Sequence, residues 1–251
     1  MNMTTNASRI FNFKKNEYQN LNNTPFPEVN GNTKINGISY KEYFSIEGAE
    51  TIELFVQYPG LVIGTGYPHF ADGENDFQMG FFFDHTTGMP VIPGSSVKGI
   101  LKRVFPKKNE DNDKVTEKKN YLHEKIPALQ QFDEDIWDWE KICFERRQVF
   151  CDAYISKALD NNKIFADDYC TKHGDNIFKE PVPLRFLKIA SGVQITFQFI
   201  LYDYTQNNKT ILKKDILDGF KSIIQDFGIG AKRNYGYGNL KEKTQNVAKS
   251  V

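Results

Sequence analysis

The most regular pattern along the chain is an alternation of apolar and polar residues between Val193 and Tyr202. Every second position carries a large apolar side chain, namely Val193, Ile195, Phe197, Phe199 and Leu201. A period of two is typical of a β-strand that buries one face. A second strand-like segment, Leu184–Ala190, precedes it, and Ser191-Gly192 joins the two. The pattern therefore predicts two consecutive strands in this part of the chain.

Further segments are rich in β-branched and aromatic residues, the composition that favours strands. Thr51–Gly66 contains a Pro59-Gly60 break, and it predicts either two short strands or one bulged strand. The other segments of this kind are Phe77–Asp84, Gln148–Ser156 and, near the C-terminus, Tyr237–Lys243.

The segment Ile211–Phe227 has the helical period instead. Its apolar residues fall along one helical face. They are Ile211, Leu212, Ile216, Leu217, Phe220, Ile223, Ile224 and Phe227. Gly228 follows them and is expected to be the C-cap of this helix.

A shorter helix is predicted over Gly94–Phe105. Its apolar stripe consists of Val97, Leu101 and Val104. We expect Ser95 or Ser96 to cap its start, because a hydroxyl can accept a hydrogen bond from a free backbone N–H there. Pro106 is expected to end it.

The order of these elements is two strands and a helix, followed by two strands, a helix and a strand. This order predicts an α+β protein with an RRM-like or ferredoxin-like antiparallel sheet core and helices on one face. Lys107–Arg147 interrupts the order as a charged run and then an acidic stretch with Trp137 and Trp139. We expect this section to be an insertion with some helix at its end. Residues 1–35 are polar, and we expect an extended arm or a loosely packed extension.

Composition limits the class of protein. The 251 residues permit one large domain or two small ones. The 3 cysteines form no C-x-x-C pair, which argues against a disulfide framework. No apolar run reaches the roughly 18 residues of a membrane span, and the first residues lack the apolar segment of a signal peptide. We therefore expect a cytoplasmic protein with no membrane partner.

The charges cancel overall but are segregated along the chain. With 32 basic and 32 acidic residues, no global field attracts the protein to nucleic acid. However, the stretch from Gly88 to Lys108 contains bases and no acids, whereas Asp133 to Glu140 contains acids and no bases. Such a chain can bind a polyanion at one face and protein neighbours at another, although both stretches can equally be ordinary solvated surfaces.

The stretch Gly228–Gly238 has the composition of an anion-binding loop. Its glycines permit positive φ angles and let backbone amides approach an anion closely. Lys232 and Arg233 add positive charge, and Tyr235 and Tyr237 offer faces on which a base can stack. The loop residues that we expect to contact a phosphate-rich polymer are Gly228, Gly230, Lys232, Arg233, Asn234, Tyr235, Gly236 and Gly238.

A second candidate site lies at the start of the shorter helix, after the turn at Pro93-Gly94. The free N–H groups and the dipole of a helix start suit an anion. The residues that we expect to bind phosphate there are Ser95, Ser96, Lys98, Lys102 and Arg103. The alternative is simple capping beside a solvated basic face.

The chain matches three enzymatic motifs only in part, so none of them is assigned. Gly94–Gly99 begins like a phosphate-binding P-loop but lacks the Lys-Ser/Thr pair that must follow. Ser95–Lys98 matches the S-x-x-K signature of serine acyl-enzymes, yet neither S-D-N nor K-T-G occurs in the chain. The glycine loop follows a helix and not a strand, which excludes a dinucleotide fingerprint.

The histidines are His69, His85, His123 and His173. We expect His69 to donate a hydrogen bond to RNA, and the alternative is that His69 or His85 acts as an acid or base in RNA cleavage. Cys170 and His173 resemble half of a zinc site whose other half is missing. We therefore expect no metal and no other cofactor.

Taken together, the motifs resemble those of the RAMP superfamily of CRISPR proteins. The glycine-rich loop Gly228–Gly238 resembles the hallmark of that superfamily. Gly64–Gly66 and the run Thr87–Gly99 are similar to segments of the sixth subunit of Cmr (type III-B) effector complexes. Phe150–Tyr154 and Pro181–Leu187 are also similar.

The resemblance implies a RAMP domain over residues 51–251, with the insertion at about 107–147, after an N-terminal extension of residues 1–50. It implies a non-catalytic subunit that binds the 3′ side of a CRISPR guide RNA at one end of a filament and contacts neighbouring RAMP subunits in antiviral defence. Contact with target RNA is left open. The first alternative is a RAMP-type endoribonuclease that processes precursor guide RNA, and the second is an assembly adaptor whose glycine loop only packs against a neighbour.

Overall fold

The computed structural model describes residues 34–35, 38–63, 81–84, 86–145, 147–159, 163–171 and 183–242. Its strands are β1 (Lys34–Ile35), β2 (Ile38–Ser39), β3 (Glu50–Val56), β4 (Phe82–Phe83), β5 (Pro90–Ile92), β6 (Val149–Phe150), β7 (Ala153–Lys157), β8 (Phe165–Thr171), β9 (Pro183–Ile189), β10 (Gln194–Ile200), β11 (Tyr204–Gln206), β12 (Lys209–Ile211) and β13 (Leu240–Lys241). Its helices are α1 (Tyr40–Phe44), α2 (Gly94–Lys102), α3 (Asn112–Lys125), α4 (Trp139–Phe144) and α5 (Lys213–Phe227), with 3-10 segments at Pro127–Asp138 and Arg233–Tyr235.

The core of the fold consists of β3, α2, β7, β10, α5 and β13, which follow one another as β-α-β-β-α-β. Their strands lie side by side in the order β13-β3-β10-β7, and every neighbouring pair is antiparallel. This is the ferredoxin-like arrangement. β5 and β4 extend the sheet beyond β7, and β6 pairs with β10. The predicted α+β class with an antiparallel ferredoxin-like core is therefore confirmed.

The helices α2 and α5 cover one face of this sheet. The alternating residues Ile195, Phe197 and Phe199 of β10 are at most 1% exposed. The ring centroid of Phe199 lies 5.6 Å from that of Phe220 in α5. Burying each of these side chains stabilises the folded state by about 1.5–3 kcal/mol. The apolar side chains that alternate along β10 therefore hold α5 against the sheet. Within the described ranges, no helix combines the length and the hydrophobicity that crossing a membrane requires.

The opposite face of the sheet is covered by residues that precede β3. Phe44 of α1 stacks on Tyr154 of β7, with ring centroids 4.8 Å apart. The side chain of Gln198 donates to the carbonyl of Phe44 at 2.7 Å and accepts from the amide of Ile46 at 3.3 Å. These bonds allow the polar Gln198 to be buried in the central strand. Part of the N-terminal extension is thus packed onto the sheet.

Several predicted strands have different bounds in the structure. Thr51–Gly66 forms the single strand β3 and then a turn, followed by an isolated bridge between Leu61 and Ile189. Of Phe77–Asp84, only β4 is a strand, and residues 77–80, like 64–66, lie outside the described part. Gln148–Ser156 is divided into β6 and β7, because Asp152 between them turns its side chain toward the start of α2.

The two consecutive strands predicted around Ser191-Gly192 exist as β9 and β10. They do not pair with each other. β9 pairs with β8 in a separate two-stranded sheet, whereas β10 pairs with β3, β6 and β7. Hydrophobic alternation indicates a strand but carries no information about its partner, so this pairing could not be read from the sequence.

The insertion is more helical than predicted, because α3 already begins at Asn112 and continues to Lys125. Its later part contributes to the core. Trp139 is fully buried, and its indole N–H donates to the carbonyl of Phe132 at 3.0 Å. Trp137, only two positions earlier, is 40% exposed. The two tryptophans therefore belong to different environments, one in the core and one on the surface.

Replacing the two tryptophans separately tests this packing. We expect Trp139→Ala to lower the free energy of unfolding by about 3–5 kcal/mol, because it leaves a cavity and an unsatisfied carbonyl. Trp137→Ala is the matched control, and we expect a change of less than about 1 kcal/mol. Urea unfolding followed by circular dichroism measures both. Equal losses for the two variants would contradict the burial described for the insertion.

Candidate nucleic-acid interface

The structure brings the two candidate sites, the segment that begins α2 and the glycine loop Gly228–Gly238, together at one cleft. The cleft has a volume of about 310 Å³ and lies between α2, the segment after β3 and the glycine loop Gly228–Gly238. It is lined by Leu61, Ile63, Ile92, Ser96, Gly99, Ile100, Ile229, Gly230 and Ala231. Most of these side chains are aliphatic, so the interior of the cleft is apolar.

The glycine loop takes the positive φ angles that its sequence predicts. Gly230 has a φ of +92° and Gly238 a φ of +80°. A Cβ atom at Gly230 would collide with the carbonyl of Val62, and one at Gly238 would collide with the carbonyl of Ile229. Glycine is therefore required here because main chain packs directly against main chain within the protein.

Many amides of this loop already donate to carbonyl groups of the protein. Gly238 donates to Gly60 at 2.8 Å, and Ala231 donates to Val62 at 2.7 Å. The donors of this kind are Gly228, Ile229, Ala231, Tyr235, Gly236 and Gly238. These hydrogen bonds build the loop itself, so the same amides are already engaged within the protein. That the loop residues contact a phosphate-rich polymer stays a prediction.

The start of α2 is also occupied by a group of the protein. The N-cap is Pro93, and neither serine makes a capping hydrogen bond, so the predicted cap at Ser95 or Ser96 is wrong. The amide of Gly94 instead donates to a carboxylate oxygen of Asp152 at 2.8 Å. This negative charge already complements the helix dipole and repels an incoming phosphate. One amide of the helix start is therefore already engaged, and the binding of an anion by Ser95 and Ser96 stays a prediction.

The predicted basic residues of α2 lie on different flanks of the helix. Each residue advances by about 100°, so Arg103 follows Ser96 and Gly99 on the cleft side, whereas Lys98 and Lys102 lie on the other side. The ammonium of Lys98 is 5.4 Å from the ring centroid of Phe150. Lys102 lies beside residues of the insertion: it forms an ion pair with Glu140, and its ammonium is 5.7 Å from the ring centroid of Phe144.

Two arginines, Arg103 directly after α2 and Arg233 in the glycine loop, are close enough for their charges to interact. Burial and the charge of the neighbouring Arg103 lower the pKa of Arg233. The guanidinium of Arg233 also donates to the carbonyl of Phe227 at 3.0 Å, which fixes it at the end of α5. Two like charges held close together favour an anion between them. This pair therefore suits a phosphate of a bound polymer.

The two tyrosines of the loop have different surroundings. Tyr235 is 74% exposed, and the ammonium of Lys232 is 5.7 Å from its ring centroid. Asn234 is exposed in the same turn. Tyr237 is only 9% exposed, so the suggestion that it offers a stacking face is wrong.

The buried Tyr237 connects the loop to the sheet formed by β8 and β9. Its hydroxyl donates to Asp168 at 2.6 Å, and the ammonium of Lys188 is 2.5 Å from the same carboxylate oxygen. Burial raises the pKa of Asp168, but the hydrogen bonds from Lys188 and Tyr237 outweigh it and hold the pKa below its ordinary value. The ring of Phe186 meets Tyr237 edge to face at 5.7 Å. Together these contacts fasten the glycine loop to β8 and β9.

The predicted histidine site cannot be placed, because His69 and His85 lie outside the described residues. The same holds for His173 of the half zinc motif. Among the described residues, no group of three or more His, Cys, Asp or Glu side chains is arranged to hold a metal ion.

Three contributors to the site were missed by the sequence reasoning. Asp152 gives no local signal, because its contact with Gly94 spans 58 positions. The segment from Gly60 to Val62 was read only as a strand break, although its carbonyls hold the glycine loop. Gly99 gave a usable signal, because a glycine in the interior of a helix is unfavourable and needs a reason.

Comparison with known proteins gives one family match. Residues 53–241 match the RAMP superfamily. The chain is 28% identical over 188 residues to "CRISPR system Cms endoribonuclease Csm3" of Streptococcus thermophilus, covering 72% of this chain and 80% of that protein. It is also 28% identical over 169 residues to "CRISPR system CMR subunit Cmr6" of Saccharolobus solfataricus, covering 66% of this chain and 49% of that protein.

One solved structure with a similar chain is the cryo-EM structure of the type III-B Cmr-beta bound to cognate target RNA. The similarity has a TM-score of 0.49 and 25% identity, and it covers 77% of this chain and 57% of that one. The chain thus spans about half the length of the Cmr6 relative and somewhat more than half of the Cmr-beta chain.

The contact between Asp168, Lys188 and Tyr237 predicts a dependence of stability on pH. Because the pKa of Asp168 is lower in the folded state, its ionised form stabilises the fold above the unfolded pKa of about 3.9. We expect Asp168→Asn to lower the free energy of unfolding by about 1–3 kcal/mol at pH 7. This difference from the parent should shrink as the pH falls below about 4, through the folded-state pKa.

Urea unfolding between pH 7 and pH 3 measures this difference. Asp218→Asn, an exposed position on α5, is the matched control and should change the free energy of unfolding at pH 7 by less than about 0.5 kcal/mol. A difference between the parent and Asp168→Asn that stays constant down to pH 3 would show that the charge of Asp168 does not hold the loop.

Proposed function

Since this chain belongs to the RAMP superfamily, we propose that it is a non-catalytic CRISPR RNA-binding subunit of a type III-B (Cmr) interference complex. The name of one relative supports this class of complex, because that relative is a CMR subunit, and the name of the other supports a CRISPR system in general. The proposal includes a role in antiviral defence in the cytoplasm, which follows from that class of complex.

The observation that carries the proposal is the meeting of the two motifs at one cleft. Arg103, directly after α2, and Arg233 of the glycine loop interact through their charges, and Lys232 lies next to the exposed ring of Tyr235. A single-stranded polymer needs cations for its phosphates and an aromatic face for a base. Contacts of this kind position RNA and do not read its sequence.

The proposed mode of binding differs from the one expected from the sequence. Side chains, and not the amides of Gly228, Gly236 and Gly238 or the start of α2, supply the attraction for phosphate. RNA affinity should therefore depend on a few cationic groups, each of which contributes to the dependence on salt.

We place the subunit at one end of a filament, at the 3′ side of the guide RNA, beside neighbouring RAMP subunits. The resemblance of Thr87–Gly99 to the sixth Cmr subunit supports this position. The acidic stretch Asp133–Glu140 belongs to the insertion and would repel RNA, which suits contact with a protein neighbour. Whether target RNA is contacted as well depends on the path of the guide.

An endoribonuclease is the second candidate, and the name of the Csm3 relative favours it. We expect purified protein, incubated with CRISPR repeat RNA with and without divalent cations, to leave the RNA intact on a denaturing gel. Specific cleavage that is lost in His69→Ala or His85→Ala would establish the endoribonuclease instead.

Paired substitutions test which cations bind RNA. We expect the double variant Arg103→Ala/Lys232→Ala to bind single-stranded RNA more weakly and to reduce the slope of log affinity against log salt by about 1.4, which is about 0.7 for each lost phosphate contact on a single strand. The control is Lys98→Ala/Lys102→Ala, which removes two charges from the other flank of α2 and should change the slope by less than about 0.5. Fluorescence anisotropy across a salt titration measures both. Equal slopes for the two variants would contradict the assignment of the cleft.

A further inference from the structure

Gly99 is a glycine that no contact among the described residues requires. Glycine is the least favourable residue after proline in a helix interior, so its presence in α2 calls for a reason. For two other helical glycines, a close contact explains why no side chain is present. A Cβ atom at Gly94 would collide with the carbonyl of Phe150, and one at Gly219 would collide with the side chain of Ile126. A Cβ atom at Gly99 would meet no atom of the described residues within 4 Å.

The space beside Gly99 is the cleft between the two motifs. Its aliphatic lining could not hold a phosphate, because burying a charge among apolar side chains is strongly unfavourable. The group that enters must therefore be uncharged and must have apolar faces. The hydroxyl-bearing Ser96 on the same wall can still form a hydrogen bond to a polar edge of such a group.

The charges beside the cleft identify the polymer to which this group belongs. Arg103 directly follows α2, the helix that carries Gly99, while Lys232 and Arg233 directly follow the lining residue Ala231, and the charges of the two arginines interact. A single-stranded nucleic acid combines phosphates with flat, uncharged groups, and it is the ligand of this kind that the proposed function supplies. A volume of about 310 Å³ is at the lower end of the roughly 300–1,000 Å³ of pockets that hold small organic groups.

We infer that the cleft beside Gly99 is a pocket for one unpaired nucleobase of the bound RNA, inserted between α2 and the loop residues Ile229–Ala231. The inference rests on the proposed function, since that function supplies the RNA. In this arrangement the absence of a side chain at Gly99 makes room for the base, and the arginines hold the flanking phosphates.

The substitution Gly99→Leu tests the pocket, because its Cβ meets no atom of the described residues and the rest of its side chain takes up space beside α2. Leucine is also far more favourable than glycine in a helix, so the urea midpoint should stay the same or rise. We expect affinity for single-stranded RNA to fall about tenfold or more, the effect of losing one stacked or buried base. The salt slope should stay unchanged, because the phosphate contacts remain.

Gly99→Ala is the matched control, since it adds one methyl group and leaves most of the pocket open. We expect its affinity to lie within about threefold of the parent protein. A second probe is a set of RNA oligonucleotides of one length, each with an abasic site at a different position. The parent should bind one of them about tenfold more weakly, and Gly99→Leu should no longer distinguish it from the intact RNA.

The outcomes separate this inference from the proposed function. If the parent binds RNA and Gly99→Leu binds it equally well at unchanged stability, the pocket is refuted while the RNA-binding function stands. A fall in affinity accompanied by a reduced salt slope would also refute the pocket, because it would mean that leucine displaces phosphates. If the parent protein does not bind RNA, both the proposed function and the nucleobase pocket are refuted.

Discussion

The close main-chain contact between the glycine loop and the segment after β3 is the constraint on which the candidate site depends. Gly238 donates to Gly60 and Ala231 donates to Val62, so the loop lies against that segment with no side chain between them. Only glycine permits this approach at Gly230 and Gly238. The contact fixes the second wall of the cleft at a set distance from α2. A loop that was free to move would offer the same charges but no shaped space between them.

This constraint also decides how the protein attracts a polyanion. Backbone amides and helix starts are common anion sites, but here both are engaged within the protein. The amides complete the loop, and the carboxylate of Asp152 complements the dipole of α2. In the proposed function, attraction therefore falls to side chains at the edge of an apolar cleft. Charged side chains there would hold the polymer, and the uncharged interior would select by shape.

Much of the fold could be predicted from the sequence, because its signals are local. Alternation in β10 and the apolar face of α5 gave the central strand and the long helix, and the positive φ of Gly228 followed from its place after that helix. The rest depends on contacts between distant residues. Asp152 reaches the start of α2 across 58 positions, and Trp139 is buried although acids surround it in the sequence. The cleft itself exists only once two distant motifs have folded together.

The two flanks of α2 serve different parts of the protein. One flank, with Ser96 and Gly99, faces the cleft. On the other flank, Lys102 is paired with Glu140, and its ammonium lies over Phe144 of the insertion. This helix of nine residues thus separates the cleft from the surface that contacts the insertion. A change in the insertion that keeps the partners of Lys102 would therefore leave the lining of the cleft in place, so the two surfaces can be altered separately.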